Sequence, residues 1–438
     1  MLAIWGLAIV IAFMTLIMLK WTTPYTALVL SPLLIGAIAG FAGQLGDFSL
    51  TGVKGVAPTA VMLLFAIMYF GLMISAGLFD PLVHFIVRVV KGDPLKVLVG
   101  TAILAAAVSV DGDGTTTTMI VCTAMIPVYQ QLKMRMMDLA VIVILANEVM
   151  NLLPWGGPTA RIIAALKVDE GELLRKILPG MILAILWVIG VAYWRGLQER
   201  KRLGVVRLSD EQIASMTPAH DDEFGHLKRP RLIWFNLGLT VLLMIFLIFG
   251  GIGFVPKINA AILFEIAFAI ALLVNYRWLK DQRDIVEIHG SNAVQVIMMV
   301  LAAGVFMGVL NESGMSQAIG ESLSSVVPSS VGSHWGLVTA LASAPGTFLL
   351  SNDAFYLGVL PVLAQTGAQY GFSPMDIAVM STTGQAFHLL SPLVGFIYLL
   401  LALTGVDMGA WQRSAGKWAI GMFVIFILSA VTFGGVPL

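Results

Sequence analysis

Long apolar runs follow one another along almost the whole chain, with short polar stretches between them. Two of these runs, 136–166 and 373–405, are too long for one straight span and contain internal proline and glycine. Ten runs approach or exceed the roughly 20 residues that an α-helix needs to cross a bilayer: 2–19, 23–42, 58–78, 136–166, 173–194, 231–250, 258–276, 291–311, 373–405 and 411–436. The pattern predicts an all-α polytopic membrane protein with about ten transmembrane helices, two of them discontinuous.

Two further apolar stretches are interrupted at their centres by polar and acidic residues. Residues 94–131 and 333–371 each lack the uninterrupted length to cross a bilayer twice in full. A pair of half-spans that meet at a polar tip fits both stretches. We therefore predict two re-entrant hairpins.

Landmark residues recur in the two halves of the chain. A nearly constant offset of 237 to 240 positions relates four pairs: Gly71 and Gly308, Gly77 and Gly314, Asp113 and Asp353, Pro154 and Pro392. Each half has five spans, an odd number, so the second copy enters the membrane from the opposite face. The sequence predicts inverted repeat 1 at 1–195, a linker at 196–230 and inverted repeat 2 at 231–438.

Composition supports a membrane location. The chain has 438 residues, of which 58% are hydrophobic and 11% charged, with a mean hydropathy of +0.93. A soluble chain would carry about 25% charged residues. The formal net charge of zero argues against a nucleic-acid partner, and a single cysteine, Cys122, excludes an internal disulfide framework. The first apolar run has no basic region before it, so we expect a span there and not a cleavable signal.

The positions of lysine and arginine predict the orientation in the membrane. Eight of these residues lie between 195 and 231, whereas the loop 311–335 has none. Basic loops favour the cytoplasmic side, which places the linker inside and both termini outside a bacterial inner membrane. Lys167, Arg175 and Lys176 fall on the outer side and are exceptions to this pattern.

Polar residues at the two hairpin tips are the first candidates for a site. The first tip offers carboxylates at Asp111 and Asp113, which are hard oxygen ligands for a metal ion. Hydroxyls stand beside them at Ser109, Thr115 and Thr116. The second tip contains Ser351, Asn352 and Asp353. The alternative interpretation of each tip is a simple helix cap, although capping and substrate contact are compatible.

The two helix breaks supply the remaining candidates, because proline and glycine unwind the helix and expose main-chain groups. The predicted breaks lie at Pro154, Pro158, Gly384 and Pro392. The substrate-binding groups predicted beside them are Gly156, Gly157, Thr159, Arg161, His388 and Ser391. Arg161 would clamp a carboxylate, or would lie near the outer interface. The other histidines are interpreted as solvated.

The strings VDGDGTTTT at 110–118 and LSNDAFYLGVLPVLA at 350–364 resemble the citrate–metal:proton symporter family, part of the ion transporter superfamily. The resemblance covers essentially the whole chain. It implies a secondary transporter that imports citrate complexed with a divalent cation, coupled to protons, by alternating access as a homodimer. It also makes Ser351 and Asn352 the substrate-contacting pair of the second tip. The first tip departs from the Ser-Asn pattern of the sodium/dicarboxylate members.

Three carboxylates at the tips, Asp111, Asp113 and Asp353, would repel a bare citrate trianion. They suit a divalent cation of the Mg²⁺ or Ca²⁺ class that arrives with the citrate, or protons that neutralise them. Residues 284–412 contain no lysine or arginine. We expect no tightly bound cofactor and no enzymatic activity.

Three alternatives stay open at this point. One is a carrier of the same superfamily for another organic anion, such as a dicarboxylate or another hydroxy acid, coupled to sodium or protons. Another is a channel. The most distant alternative is an intramembrane aspartyl protease that would use Asp111 or Asp113 with Asp353.

Overall fold

The computed structural model describes residues 1–90, 92–205, 225–252 and 255–437, and its regular elements there are all helical. The all-α prediction is therefore confirmed. Lys91, residues 206–224 of the predicted linker and Leu438 lie outside the described residues. The helices of the first half are α1 Leu2–Met18, α2 Pro24–Gly36, α3 Leu45–Ser75, α4 Asp80–Val90, α5 Pro94–Val108, α6 Gly114–Gln131, α7 Met136–Met150, α8 Gly157–Leu166 and α9 Glu170–Leu203.

The second half repeats this order and adds two one-turn helices, α14 and α18. Its helices are α10 Ile233–Phe249, α11 Ala260–Asn275, α12 Leu279–Glu312, α13 Met315–Val326, α14 Ser329–Gly332, α15 Trp335–Leu349, α16 Leu360–Ala368, α17 Pro374–Thr382, α18 Gln385–His388, α19 Gly395–Thr404 and α20 Met408–Thr432. In both halves a long helix precedes a short one, a helical hairpin, a broken helix and a final long helix. The opposite orientation of the two copies in a membrane stays a prediction.

Seven of the described helical segments are long and apolar enough to cross a membrane. Two of the ten predicted spans instead form shorter apolar helices, α1 with 17 residues and α11 with 16. The first arm of the first hairpin, Pro94–Asp111, has spanning length by itself. It is therefore longer than the half-span that the sequence predicts, and the depth at which the hairpin ends stays a prediction.

Both predicted broken helices are discontinuous in the structure. Residues 136–166 form α7 and α8 with an unwound segment between them, and 373–405 form α17, the short α18 and α19. Pro154, Gly384 and Pro392 lie in or at the edges of these interruptions. Pro158 lies instead in the first turn of α8. A proline there costs no hydrogen bond, because the first N–H groups of a helix have no intrahelical partner.

Polar side chains fix where several helices begin. The Asp169 carboxylate accepts a hydrogen bond from Glu172 N at the start of α9, and Asp407 does the same for Ala410 N at the start of α20. Such caps satisfy N–H groups that the first turn of a helix leaves free. Asp169 and Asp407 lie 238 positions apart, so the equivalent helices of the two halves begin with the same cap.

Glycines bring α3 and α12 into direct backbone contact. A Cβ added to Gly52 would lie 1.9 Å from the Gly304 carbonyl oxygen, and one added to Gly308 would lie 2.2 Å from the carbonyl oxygen of Phe48. Small residues permit such close packing of helices in membranes. We call this contact the glycine seam (Gly52, Gly304 and Gly308). It joins the two equivalent long helices of the two halves.

Contacts between α3 and α12 are reciprocal. A Cβ on Gly71 would lie 2.5 Å from the His289 ring, and a Cβ on Gly52 would lie 2.7 Å from Gly308 Cα. Gly71 and Gly308 are 237 positions apart, and so are Gly52 and His289. Moving each residue by 237 positions therefore turns the first contact into the second. A two-fold relation between the halves produces such pairs of contacts.

Ion pairs gather the basic segments at one end of the molecule, which we call the linker end. Four of these pairs join the flanks of the linker to the loops around it: Arg200–Asp93 at 3.5 Å, Arg135–Glu199 at 3.2 Å, Lys228–Asp80 at 3.1 Å and Arg229–Asp281 at 2.9 Å. Segments that the charge pattern assigns to one side of the membrane therefore lie together. Which side that end faces stays a prediction.

A separate ion pair joins the loop before α11 to the loop before α9. Lys257 Nζ lies 2.8 Å from Asp169 Oδ2. Partial burial acts to raise the pKa of Asp169, but the hydrogen bonds from Lys257 and from Glu172 N outweigh it and hold this pKa below its ordinary value. Lys176, one of the three basic residues that dissent from the charge pattern, donates to the Gly434 carbonyl oxygen at 2.6 Å. This lysine is thus held by the C-terminal segment.

The glycine seam predicts a steep cost for one added methyl group. Gly308→Ala should destabilise the protein by on the order of 1–3 kcal/mol, because the new Cβ forces the two helix backbones apart. The measurement is the thermal unfolding temperature of the protein purified in detergent. Gly290→Ala, in the same helix but with no heavy atom within 4 Å of its Cβ, is the matched control and should not lower it. Equal melting temperatures for the two variants would contradict the seam.

Orientation can be tested with single cysteines in a Cys122→Ala background. Lys201 and Ser330 are both exposed, the first at the linker end and the second in the loop that the charge pattern places outside. In intact cells a membrane-impermeant maleimide should modify the Ser330→Cys variant at once. The Lys201→Cys variant should react only after the membrane is permeabilised. The reverse order of labelling would invert the topology.

Candidate functional site

A cavity of about 630 Å³ lies between the first hairpin tip, the first helix break and the long helices α3 and α12. Six residues singled out from the sequence line it: Asp111, Asp113, Thr115, Thr116, Gly157 and Arg161. The second tip contributes no predicted residue to this lining, although Leu357 of the π-helical turn Ala354–Val359, which follows the tip, does border the cavity. The cavity therefore belongs mainly to the first hairpin and break.

The first tip is a short, tightly bonded turn. Gly112 has φ of +78°, a backbone conformation that glycine adopts without steric cost. Asp111 Oδ1 accepts a hydrogen bond from Asp113 N at 2.9 Å. Asp113 Oδ2 accepts from Thr116 N at 2.9 Å and from Thr116 Oγ1 at 2.6 Å, so Asp113 caps α6. Capping and cavity lining thus occur together at Asp113.

Trp155 holds the first tip against the first break. Its indole Nε1 donates to the Val110 carbonyl oxygen at 2.7 Å, and its ring stacks on Phe70 with 5.6 Å between centroids. A Cβ on Gly112 would lie 3.1 Å from Gly156 Cα, which shows how closely the two backbones approach. Gly156 therefore serves this contact and is not part of the cavity lining.

Two predicted substrate contacts of the first half are bonded within the protein. Ser109 is buried, and its Oγ lies 2.9 Å from Thr117 Oγ1 and 3.2 Å from Asn147 Nδ2. Thr159 donates to the Leu152 carbonyl oxygen at 2.8 Å. Both hydroxyls satisfy polar groups at the tip or break, and neither lines the cavity.

The second tip is bonded to the second break in the same manner. Gln385 Nε2 donates to Asn352 Oδ1 at 3.0 Å and to Tyr356 Oη at 2.7 Å. Ser351 Oγ accepts from Ala354 N at 3.2 Å, which is a capping contact. Ser351 and Asn352 are only partly buried, but they do not border the cavity in this conformation.

His388 and Ser391 lie inside the second break and are buried. The Nδ1 atom of His388 is 2.8 Å from the Thr347 carbonyl oxygen, and Ser391 Oγ accepts from Leu393 N at 3.2 Å. Thr347 Oγ1 in turn donates to the Gly384 carbonyl oxygen at 2.8 Å. These contacts satisfy main-chain groups of the second hairpin and break.

Arg161 links the two halves at the cavity. Its Nε lies 2.5 Å from Asp353 Oδ1, and its Nη1 donates to the Gly157 carbonyl oxygen at 2.7 Å. The arginine therefore lies at the site, not at the outer interface. Its pairing also engages Asp353, the third carboxylate of the predicted metal site. Among the residues that the structure describes, no three His, Cys, Asp or Glu side chains form a cluster able to hold a metal ion.

The sequence interpretation missed the polar face of α12. His289, Asn292 and Gln295 line the cavity together with residues of the first tip, and His289 Nε2 lies 2.9 Å from Ser75 Oγ. His289 is half-buried and not solvated as predicted. Gly71 makes room for its ring. The signal was present: three polar residues at intervals of three share one face of an apolar helix.

The cavity thus combines groups for both signs of charge. Asp111, which is 8% exposed, and Asp113 supply carboxylates, while Arg161 supplies a guanidinium. Hydroxyls, amides and an imidazole are its other polar groups, and apolar side chains such as Leu63, Phe70 and Met299 form the rest of the lining. Such a set can enclose a small polar solute that carries both anionic and cationic groups, inside a helical membrane frame. A cavity between a hairpin tip, a helix break and long apolar helices is typical of a membrane transporter.

Comparison with known proteins agrees with this class. The family described as "Citrate transporter" matches residues 1–384. The chain is 47% identical over 434 residues to the "Citrate transporter" of Bacillus subtilis (strain 168), covering 99% of each chain. It is 44% identical over 440 residues to the "Mg(2+)/citrate complex secondary transporter" of the same organism, covering 100% of each.

A solved structure shares the fold. The YdaH transporter of Alcanivorax borkumensis superposes with a TM-score of 0.59 at 17% identity, over 90% of this chain and 88% of that one. At this identity the likeness concerns the fold alone. The family match shows more: the chain belongs to the citrate transporter family. It is a transporter, as predicted, and not an enzyme.

Proposed function

We propose that this transporter imports citrate as a complex with a divalent cation, coupled to protons, by alternating access. Relatives named for citrate and for an Mg²⁺/citrate complex support the substrate. The observation that carries the proposal is one cavity whose lining brings anion-binding groups next to carboxylates. The divalent ion is cargo in this scheme and not a resident cofactor.

The first turn of α8 and Arg161 form the anion-binding side. Gly156 precedes α8 and makes no side-chain cap, while Gly157, Ala160 and Arg161 border the cavity. The free N–H groups and the positive end of an uncapped helix attract carboxylates. Arg161 adds a guanidinium, whose Nε and Nη1 already donate to Asp353 and to the Gly157 carbonyl oxygen. A citrate carboxylate would bind its remaining N–H groups or take the place of Asp353. Citrate carboxylates would bind here.

Asp111 is the strongest candidate for the cation-binding side. Its Oδ1 accepts from Asp113 N, whereas its Oδ2 makes no hydrogen bond to the described residues. A bare citrate trianion near this carboxylate would meet repulsion of about 4 kcal/mol per charge pair at 4 Å and an effective dielectric of 20. A divalent cation reduces the charge of the complex to minus one. Its oxygen preference matches the free carboxylate oxygen.

The position of the cavity fits one state of an alternating-access cycle. Its lining reaches Gly71 and Ile74, a few residues from Ala76, whose carbonyl oxygen accepts a hydrogen bond from Arg229 N at the linker end. On the predicted topology this end faces the cytoplasm. The inverted repeats would allow the equivalent outward state. A homodimer in the inner membrane, with both termini outside, completes the proposal.

Uptake into proteoliposomes tests the substrate and its coupling. With an inward proton gradient and Mg²⁺, labelled citrate should accumulate, because the complex carries less charge into the cavity than free citrate. Accumulation should vanish in EDTA and return on addition of one particular divalent ion. Citrate uptake in EDTA equal to that in Mg²⁺, or uptake that sodium alone energises, would reject the proposal. Competition by unlabelled dicarboxylates and other hydroxy acids identifies the alternative substrate in that case.

Removal of one charge tests the cation-binding side. Asp111→Asn should abolish metal-dependent uptake while the protein still reaches the membrane, because the amide keeps the shape but loses the charge that the metal needs. Asp47→Asn is the matched control, since Asp47 is exposed in the first turn of α3 and away from the cavity. This control should transport normally. Wild-type uptake by Asp111→Asn would exclude Asp111 from metal binding.

A further inference from the structure

Glu148 is a buried carboxyl group at the interface between the two broken helices. It lies in the last turn of α7, is 2% exposed, and does not line the cavity. Its Oε2 accepts a hydrogen bond from Leu389 N of the second break at 3.1 Å. Its Oε1 is buried and has no hydrogen-bond partner. One carboxyl group thus joins the first half to the second.

The described part of the chain provides no cation for Glu148. Several charged and titratable groups of the neighbouring elements have other partners: Arg161 with Asp353, Arg195 with Asp138 and Ser414, Asp113 with Thr115 and Thr116, His388 with Thr347, Tyr356 with Gln385, Tyr129 with Thr101, and Asp111 with Asp113 N. None of the remaining cations on the described helices packed against α7 forms an ion pair with Glu148: Lys96 of α5, Arg175, Lys176, Arg200, Lys201 and Arg202 of α9, and Arg413 and Lys417 of α20. An ionised carboxylate here would be buried with a single N–H donor and no counter-charge. Burial of such an ion costs many kcal/mol, so the group is neutral in this conformation.

Two further acceptor oxygens at the breaks also lack donors. Asn147 Oδ1 and Gln385 Oε1 are buried without partners, like Glu148 Oε1. Asn147 and Gln385 lie 238 positions apart, and the amide nitrogen of each donates to the hairpin tip of its own half. Three unpaired acceptors in these two segments leave the region short of donors. A protonated Glu148 supplies an O–H group to it.

We propose that Glu148 carries the coupling proton of transport, separately from the cavity that holds the cargo; this rests on the proposed function. In the conformation described here the group is a carboxylic acid. When the two breaks separate and admit water, its O–H bond breaks, the proton passes to water and the carboxylate stays behind, hydrated. Reprotonation from the other side of the membrane allows the breaks to close again. An ionisable residue inside a membrane protein is suited to this role.

Glu148→Gln separates coupling from binding, because glutamine keeps the shape of the protonated acid but cannot release a proton. In proteoliposomes this variant should exchange internal for external labelled metal–citrate, since exchange needs no net proton movement. It should lose accumulation driven by a proton gradient. Accumulation equal to wild type would overturn the proposal, and so would accumulation that a sodium gradient restores.

Glu148→Asp decides the outcome if the glutamine variant fails to fold or to exchange. Aspartate is shorter but ionisable, so the proposal expects more gradient-driven uptake from Glu148→Asp than from Glu148→Gln. A merely structural role predicts the opposite order, because glutamine is the better fit to the space. The pH dependence of uptake should shift for Glu148→Asp and not for the Asp47→Asn control.

Measurements on the wild-type protein distinguish a failure of the proposed function from a failure of the proposed role of Glu148. If wild type neither exchanges nor accumulates metal–citrate, the proposed function fails. If wild type does both and Glu148→Gln accumulates equally well, only the role of Glu148 fails.

Discussion

Each backbone N–H and C=O that a helix break frees inside a bilayer must find a partner within the protein, because lipid offers none. The hairpin tips and breaks meet this requirement with side chains. Trp155 and Thr159 donate to carbonyl oxygens of the first tip and break, Thr347 donates to one of the second break, and Glu148 accepts from Leu389 N. Polar residues that the sequence marks as substrate contacts are therefore mostly occupied in holding irregular backbone. The polar groups that line the cavity are those that these internal hydrogen bonds leave available.

Among the contacts between the two halves, three near the site differ in kind. The Arg161–Asp353 ion pair lies at the cavity, the hydrogen bond between Glu148 and Leu389 N lies between the breaks, and the glycine seam joins α3 to α12. The first two are polar and exchangeable, since water or cargo can replace either partner. The seam is a direct contact between two helix backbones, and no other group can take the place of either one. A change of conformation that opens the cavity to the other side of the membrane therefore has to break the polar contacts and keep the seam.

Sequence patterns predicted the breaks and tips because proline, glycine and acidic residues are costly inside an uninterrupted transmembrane helix. Asp111, Asp113 and Arg161 stand out in the sequence for the same reason, and all three line the cavity. The partners of these residues could not be predicted, since Arg161 and Asp353 are 192 positions apart and only the packing of the two halves brings them together. His289 was missed because an isolated polar face hardly lowers the hydropathy of a long apolar helix. The lengths of α1 and α11 were overestimated because hydropathy alone does not locate helix ends.

Two backbones in direct contact have no side chains between them that could change rotamer. A gap opened between α3 and α12 would be too narrow for lipid or water and would forfeit dispersion contacts on both sides. Separating the two helices should therefore cost more than turning them about their crossing, so we expect the crossing to act as a pivot. Displacement about a pivot grows with distance, so the largest movements fall at the ends of the molecule. At the linker end the Lys228–Asp80 pair is partly exposed on both partners, and pairs of this kind are worth about 0–1 kcal/mol, so it can change partners there at little cost.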